Sequence, residues 1–159
     1  AVWLHHLREG RPCEVVPVLC GSFSHFVAGQ ADPAADPDIA GLVAALAAAS
    51  AGRRFLVIAA ADMAHIGPAF GGEPVDATGA GALRAADAAL LEHMAAGDAA
   101  GFFAEIEKVG DRNNVCGLPP VYLALRLLAL AGSVTLAYDQ CPADDGGTSL
   151  VSVAGLLWM

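Results

Sequence analysis

A chain of 159 residues is the size of one domain, and its 56% hydrophobic content is ample for a core. Its 17 acidic and 8 basic residues give a net charge of −9, which repels phosphate backbones, so no nucleic acid partner is expected. The longest strongly apolar runs, such as residues 121–131, are shorter than the roughly 20 residues of a membrane span. The composition therefore predicts a soluble protein with no membrane partner.

Four cysteines lie at positions 13, 20, 116 and 141, and no Cys-x-x-Cys is present. Their spacing matches neither a zinc ribbon nor a dense disulfide framework. A chain with a core of this size does not need disulfides, and no signal peptide opens it, so a cytoplasmic location is expected. The chain begins without methionine and already in helical periodicity, which predicts that an N-terminal portion precedes it.

The first elements alternate between helix and strand. Residues 1–9 read as the end of a helix. Residues 13–21 are a nearly continuous apolar run, which is typical of a parallel strand buried on both faces. Asp38 is a suitable N-cap for the alanine-rich helix that follows, which extends to about Ser50. A second apolar strand is predicted at residues 53–60.

The second half of the chain continues the alternation. A Gly/Pro-rich loop is predicted at 67–75 and a further loop at 110–120. The predicted helices span about 76–95, 98–108 (capped by Asp98) and 121–131, and the predicted strands span 133–138 and 149–158. Alternating strands and helices indicate a single α/β domain over residues 1–159, with a layered sheet flanked by helices.

Asp62 and His65 form the most informative motif. They directly follow the predicted strand at 53–60, and ligands of open α/β sheets bind beyond the carboxyl ends of strands. Carboxylate and imidazole together are accepted by divalent iron, copper or zinc. The alternative is a strand-to-helix turn in which Asp62 caps a helix and His65 has no role. A mononuclear site needs a third ligand, for which the candidates are Cys116, Cys141, His25 or a residue not yet identified.

Cys116 lies in a loop ahead of a predicted helix. A thiol near a helix N-terminus has a lowered pKa, which favours the thiolate form. The alternative is a small buried hydrophobic side chain beneath a turn. No G-x-G-x-x-G, phosphate-binding loop or G-x-S-x-G motif is present, so neither a nucleotide site nor a serine hydrolase is indicated.

Four segments in this order resemble the MEMO family, whose prokaryotic members are also called AmmeMemoRadiSam system protein B. They are Val-Pro-Val-Leu-Cys-Gly at 16–21, Ala-Ala-Asp-Met-Ala-His-Ile-Gly at 60–67, Cys-Gly-Leu-Pro-Pro at 116–120 and Tyr-Asp-Gln at 138–140. The closing run at 149–155 fits the final strand of the family. The resemblance spans nearly the whole chain but only the C-terminal portion of a full family member.

The resemblance implies a fold like that of class III extradiol dioxygenases, with a metal-binding cleft in an α/β core. It assigns Asp62, His65 and Cys116 to this cleft as metal ligands, and Cys116 also as a catalytic residue. It further implies two histidines upstream of Ala1. Iron or copper is the expected cofactor, because two histidines and a carboxylate suit Fe(II) whereas a thiolate suits copper.

Two function classes follow from these observations. The first is a metal-dependent, redox-active protein, dioxygenase-like, that acts on a small molecule in the cleft. The second is a non-catalytic module that binds a peptide or partner protein in the same cleft, with aromatic residues such as Trp3, Phe23, Phe26 and Phe70 as anchors. Exposed sheet edges would also favour a homo-oligomer.

Overall fold

The structure, a computed structural model, describes residues 2–129 and 132–158. Within them lie six α-helices. Their bounds are α1 Val2–Leu7, α2 Ser24–Val27, α3 Pro37–Ser50, α4 Ala77–Ala96, α5 Ala99–Glu107 and α6 Leu118–Leu128. A short 3-10 helix, Pro68–Phe70, interrupts the predicted loop at 67–75. The predicted helices are thus confirmed apart from their ends, and only α2 was not anticipated.

Local chemistry sets where these helices begin. The N-cap of α3 is Asp36 rather than Asp38, because the Asp36 carboxylate accepts hydrogen bonds from the backbone N–H groups of Asp38 and Ile39. The proline that follows Asp36 is well suited to the first helical position. Helix α6 begins three residues earlier than predicted, again at a position followed by proline. Residues 130 and 131 at the predicted end of that helix lie outside the described residues.

A three-stranded antiparallel sheet forms beside the helices. Its strands are β1 His65–Ile66, β2 Ser133–Pro142 and β3 Leu150–Trp158, in the order β1-β3-β2. In β1, His65 pairs with Val151, and in β2, Tyr138 pairs with Ala154. The strands predicted near 133–138 and 149–158 are confirmed, and they form one hairpin.

The prediction of strands at 13–21, buried and parallel, and at 53–60 is wrong, because neither segment is a strand in the described residues. Neither segment pairs in the sheet, and Leu19 and Leu56 remain 99% and 73% exposed. A strand buried on both faces needs partners along both edges. The described sheet is built instead from the hairpin and β1. The mixture of helices and strands is therefore confirmed, in the form of helices packed on a small antiparallel sheet.

The core lies between the helices and one face of the sheet. Phe102 and Ile106 of α5 and Tyr122 of α6 are at most 2% exposed. The ring of Phe23 meets that of Tyr122 edge-on at 5.6 Å, which brings the short helix α2 into the same core. Trp158, at the end of β3, donates from Nε1 to the Met94 carbonyl over 2.9 Å. The core thus joins the end of the chain to α4.

No helix within residues 2–129 and 132–158 has both the length and the apolar character needed to cross a membrane.

Asp98 caps α5, and its removal provides a test of this helix start. Its carboxylate accepts from Gly101 N at 2.9 Å and lies 2.9 Å from His93 Nδ1. These two hydrogen bonds, that of Gly101 first, hold the pKa of Asp98 below its ordinary value. We expect Asp98→Ala to lower the free energy of unfolding by about 1 kcal/mol at pH 7, as measured by urea unfolding.

The pH dependence of this loss follows from the lowered pKa. The Asp98 carboxylate stabilises the fold above its unfolded pKa of roughly 4, and that contribution disappears as the pH falls through its folded pKa. The difference between wild type and Asp98→Ala should therefore shrink in acid. Asp98→Asn keeps a capping oxygen and should stay close to wild type at pH 7. Equal stability of Asp98→Ala and wild type at pH 7 would contradict the cap.

Candidate metal-binding site

Residues 62–65, the predicted turn, lie alongside β3 and are held there by backbone hydrogen bonds. Met63 N donates to Ser152 O, and Ser152 N donates to Ala64 O, each over 2.9 Å. The chain then continues directly into β1. The alternative in which Asp62 caps a helix is therefore wrong, because a strand follows it. The turn presents Asp62 and His65 on either side of two residues that are fixed to the sheet.

His65 is oriented by the loop that precedes Cys116. Its backbone N–H donates to Asn113 O over 2.8 Å, and Asn114 Nδ2 donates to His65 O over 3.0 Å. The imidazole Nδ1 lies 3.2 Å from the backbone oxygen of Asn114. A carbonyl can only accept, so Nδ1 carries the hydrogen and Nε2 of the neutral ring keeps its lone pair. This is the tautomer and the second hydrogen bond typical of a metal-ligating histidine.

The same loop places Cys116 beside Asp62. Cys116 N donates to Met63 O over 3.2 Å, and the thiol Sγ donates to Asp62 O over 3.4 Å. Two residues of the loop, Asp111 and Asn114, have positive φ angles of 50° and 48°. Asp and Asn adopt this conformation more readily than most residues. A local sequence feature, the polar stretch Asp111–Asn114, thus permits the bend that brings the thiol to the turn.

The predicted lowering of the Cys116 pKa is wrong. Burial raises the pKa of this thiol above its ordinary value, and the negative charges of Asp62 and Asp111 raise it further. The hydrogen bond to the Asp62 carbonyl opposes these effects. The thiol is therefore the favoured form at neutral pH while no cation is bound, although α6 begins two residues later.

The candidate ligand atoms of Asp62, His65 and Cys116 lie close together. One ligand atom from each lies within 4.8 Å of the other two, and His65 Nε2 is 3.6 Å from Asp62 Oδ2. Tetrahedral ligand atoms about 2.0 to 2.3 Å from a shared metal lie roughly 3.3 to 3.8 Å apart, so the side chains would have to draw together by about 1 to 1.5 Å to close the site. The donor set of imidazole, carboxylate and thiol fits a divalent transition metal.

The other candidate ligands lie elsewhere. The ring of His25 contacts that of Phe26 at a centroid distance of 3.7 Å. Cys141 is exposed on β2. Within the described residues, the one group of three metal-ligating side chains is that of Asp62, His65 and Cys116. Their roles as ligands stay a prediction.

An apolar cavity of about 490 Å³ adjoins this group. It lies between the segment at 55–63, helices α4 to α6 and strand β3. Its walls are mainly apolar side chains such as Phe55, Phe102 and Trp158, while Asp62 also belongs to its lining. The candidate ligands therefore border a space large enough for a small organic molecule or an apolar peptide side chain.

Sequence reasoning did not identify Asn114 or Ser152. The Asn113-Asn114 pair next to Cys116 was a usable signal, because an amide side chain near a candidate ligand often supports it. Ser152 carried a weaker signal, the single hydroxyl within the apolar run at 150–158. Its partner Ala64 is 88 positions away, and no local pattern reveals such a pairing.

A family model described as Memo-like protein matches residues 13–157 of the chain. Because this match covers nearly the whole sequence, the chain belongs to the Memo-like protein family. Comparison with curated proteins and with solved structures gave no significant match.

Gly117 provides a test of the contact between the Cys116 loop and the turn. A Cβ at Gly117 would lie 2.6 Å from the Asp62 carbonyl oxygen, which is backbone and cannot move alone. We expect Gly117→Ala to lower the free energy of unfolding by about 1 to 3 kcal/mol, the usual cost of overpacking. Urea unfolding measures the effect.

Gly81→Ala is the matched control, because a Cβ there meets nothing within 4 Å. Gly81 lies within α4, so alanine should leave stability unchanged or raise it by up to about 1 kcal/mol. A Gly117→Ala protein as stable as wild type would contradict the close approach.

Proposed function

We propose that this member of the Memo-like protein family binds a redox-active metal ion, iron or copper, through Asp62, His65 and Cys116. The proposed site is a cleft related to that of the non-haem iron extradiol dioxygenases. The observation that supports it is the convergence of the three ligand atoms to within 4.8 Å of one another. The substrate class we propose is a small organic molecule held in the adjoining apolar cavity.

Each side chain has a distinct role in this proposal. His65 offers the lone pair of Nε2, because its Nδ1 is committed to the Asn114 carbonyl. Asp62 supplies a carboxylate that is half exposed and can turn toward the ion. Cys116 loses its proton when it ligates, since the thiolate is the form that binds metals. Iron or copper would supply one-electron redox chemistry with an oxidant such as O₂.

Three ligands alone do not fill the coordination shell of a transition metal. The positions left are available to the upstream histidines that the resemblance implies or to a substrate. Cys116 is exposed, so an oxidant can reach its sulfur. We therefore propose that Cys116 is either a ligand throughout or a reactive thiolate that attacks a peroxide, so that an S–O bond forms, the O–O bond breaks and hydroxide leaves. The resulting sulfenic acid would return to the thiol by reduction with a small thiol.

Metal content tests the proposal. Purified protein should carry roughly one equivalent of iron or copper by inductively coupled plasma mass spectrometry. His65→Ala removes the best-oriented ligand and should reduce this content to background. His5→Ala is the matched control, because His5 is an exposed histidine on α1. Equal metal content in His65→Ala and wild type would overturn the proposal.

The apolar cavity favours a second candidate function. A non-catalytic module would use this space of about 490 Å³ to hold apolar side chains of a peptide or partner protein. Such binding depends on buried apolar area and not on a metal. Binding would therefore persist in chelator and in His65→Ala.

Binding of a neutral apolar dye, N-phenyl-1-naphthylamine, tests this second function by fluorescence in the presence of excess EDTA. Ala59 lines the cavity, whereas Ala60 is exposed and does not. We expect Ala59→Trp to weaken dye binding about tenfold by filling the cavity, and Ala60→Trp to leave it unchanged. Equal weakening by both substitutions, or dye binding that is lost in EDTA, would contradict the second function.

A further inference from the structure

Ser152 is a fully buried polar residue in the middle of β3. Its backbone makes the two hydrogen bonds to Met63 and Ala64 described above. Its hydroxyl Oγ accepts a third hydrogen bond, from Ala64 N over 2.9 Å. One residue thus holds both residues that lie between Asp62 and His65, and the side chain supplies a bond that strand pairing alone would not.

Asp87 of α4 lies behind Ser152 and is also fully buried. Its Oδ2 accepts from the Tyr138 hydroxyl over 2.7 Å, and Gln140 Nε2 donates to the same hydroxyl over 2.9 Å. Its Oδ1 is also buried, and none of the described residues donates a hydrogen bond to it. Ser152 is nevertheless close enough to lower the pKa of Asp87, against the larger effect of burial, which raises it.

These contacts leave one direction for the Ser152 hydroxyl hydrogen. Oγ already accepts from Ala64 N, so its hydrogen is free to be donated. The buried Oδ1 of Asp87 lacks a donor, and a carboxylate is a strong acceptor. If the Ser152 hydroxyl donated this hydrogen to Asp87, the bond would complete both groups and fix the rotation of the hydroxyl. Oγ then presents its lone pair to Ala64 N.

A buried carboxylate is costly in an apolar core, even when it is hydrogen-bonded. With the bond from Ser152 to Asp87 made, the polar network would be fully connected, and such a network specifies one arrangement of the elements it joins. Here it joins α4, β2 and β3 to the turn between the two candidate ligands. The network has no contact with the ion position itself, so its effect on a ligand would be indirect.

We propose that Ser152, oriented by Asp87, is a positioning residue that sets the separation of Asp62 and His65 by fixing the turn between them. The role of Ser152 in metal binding rests on the proposed function. Its hydrogen bonds to Met63 and Ala64 do not depend on a metal. The proposal therefore has two readouts, one that needs a metal and one that does not.

The metal readout is titration with Co²⁺, whose visible absorption reports coordination geometry. Ser152→Ala should weaken Co²⁺ binding about 10- to 100-fold, the effect typical of residues that orient metal ligands. Its absorption bands should also differ from those of wild type. Ser149→Ala is the matched control, because Ser149 is equally buried and its Oγ accepts from Ala69 N over 3.0 Å. That bond holds the neighbouring loop, so Co²⁺ binding should stay within about threefold of wild type.

The metal-free readout is amide hydrogen exchange at Ala64, measured by NMR. Ser152→Ala removes the acceptor of this N–H and should speed its exchange at least tenfold, whereas Ser149→Ala should not. Asp87→Asn should weaken Co²⁺ binding in the same direction but less; wild-type affinity in this variant would remove Asp87 from the proposal.

The two readouts distinguish a failure of the proposed metal function from a failure of the positioning role. If wild type binds no Co²⁺ but Ser152→Ala still speeds exchange at Ala64, the proposed metal function fails and the positioning role stands. Unchanged exchange at Ala64 in Ser152→Ala would overturn the positioning role. If wild type binds Co²⁺ and Ser152→Ala binds it equally well, the positioning role is also overturned.

Discussion

The pairing of residues 63–66 with residues 150–152 is the constraint on which the site depends. Through it the short strand β1 joins the sheet, and the turn before β1 takes a fixed position. The Cys116 loop then bonds to that turn, so the thiol inherits its position from the same pairing. The carboxylate, imidazole and thiol come from two distant parts of the chain. Their meeting depends mainly on backbone hydrogen bonds, and the contacts of Cys116 Sγ with Asp62 O and of His65 Nδ1 with Asn114 O add to them.

Electrostatics and burial act differently on the three groups of the site. His65 is only 19% exposed at its side chain and is fixed by the Asn114 carbonyl, whereas the Asp62 side chain is 52% exposed. Partial burial and the neighbouring carboxylates raise the pKa of the Cys116 thiol, although the residue remains exposed to solvent. A cation at their centre would reverse this balance, because it favours both the carboxylate and the thiolate. The site therefore combines one rigidly held donor, His65, with two donors, Asp62 and Cys116, whose charged forms a cation would stabilise.

The sequence predicted the helices and the two strands of the hairpin well but not the sheet topology. Helix α5 and its cap Asp98 follow from local chemistry, and the resemblance of four short segments identified the family. The strands predicted at 13–21 and 53–60 were wrong because an apolar run does not specify a partner. Asp62, His65 and Cys116 were singled out in the sequence, yet their convergence depends on Ser152 and Asn114. Contacts across 88 and 49 positions leave no mark on local periodicity.

The long sequence separation between Ala64 and Ser152 also bears on when the site can exist. Contacts between distant residues require a large loop to close, so they form late in folding relative to local helices. During synthesis, the turn at 62–65 emerges long before β3, which occupies residues 150–158. The three candidate ligands can be held together only once that last strand has paired. An ion could therefore be held by all three groups only after β3 has paired with residues 63–66.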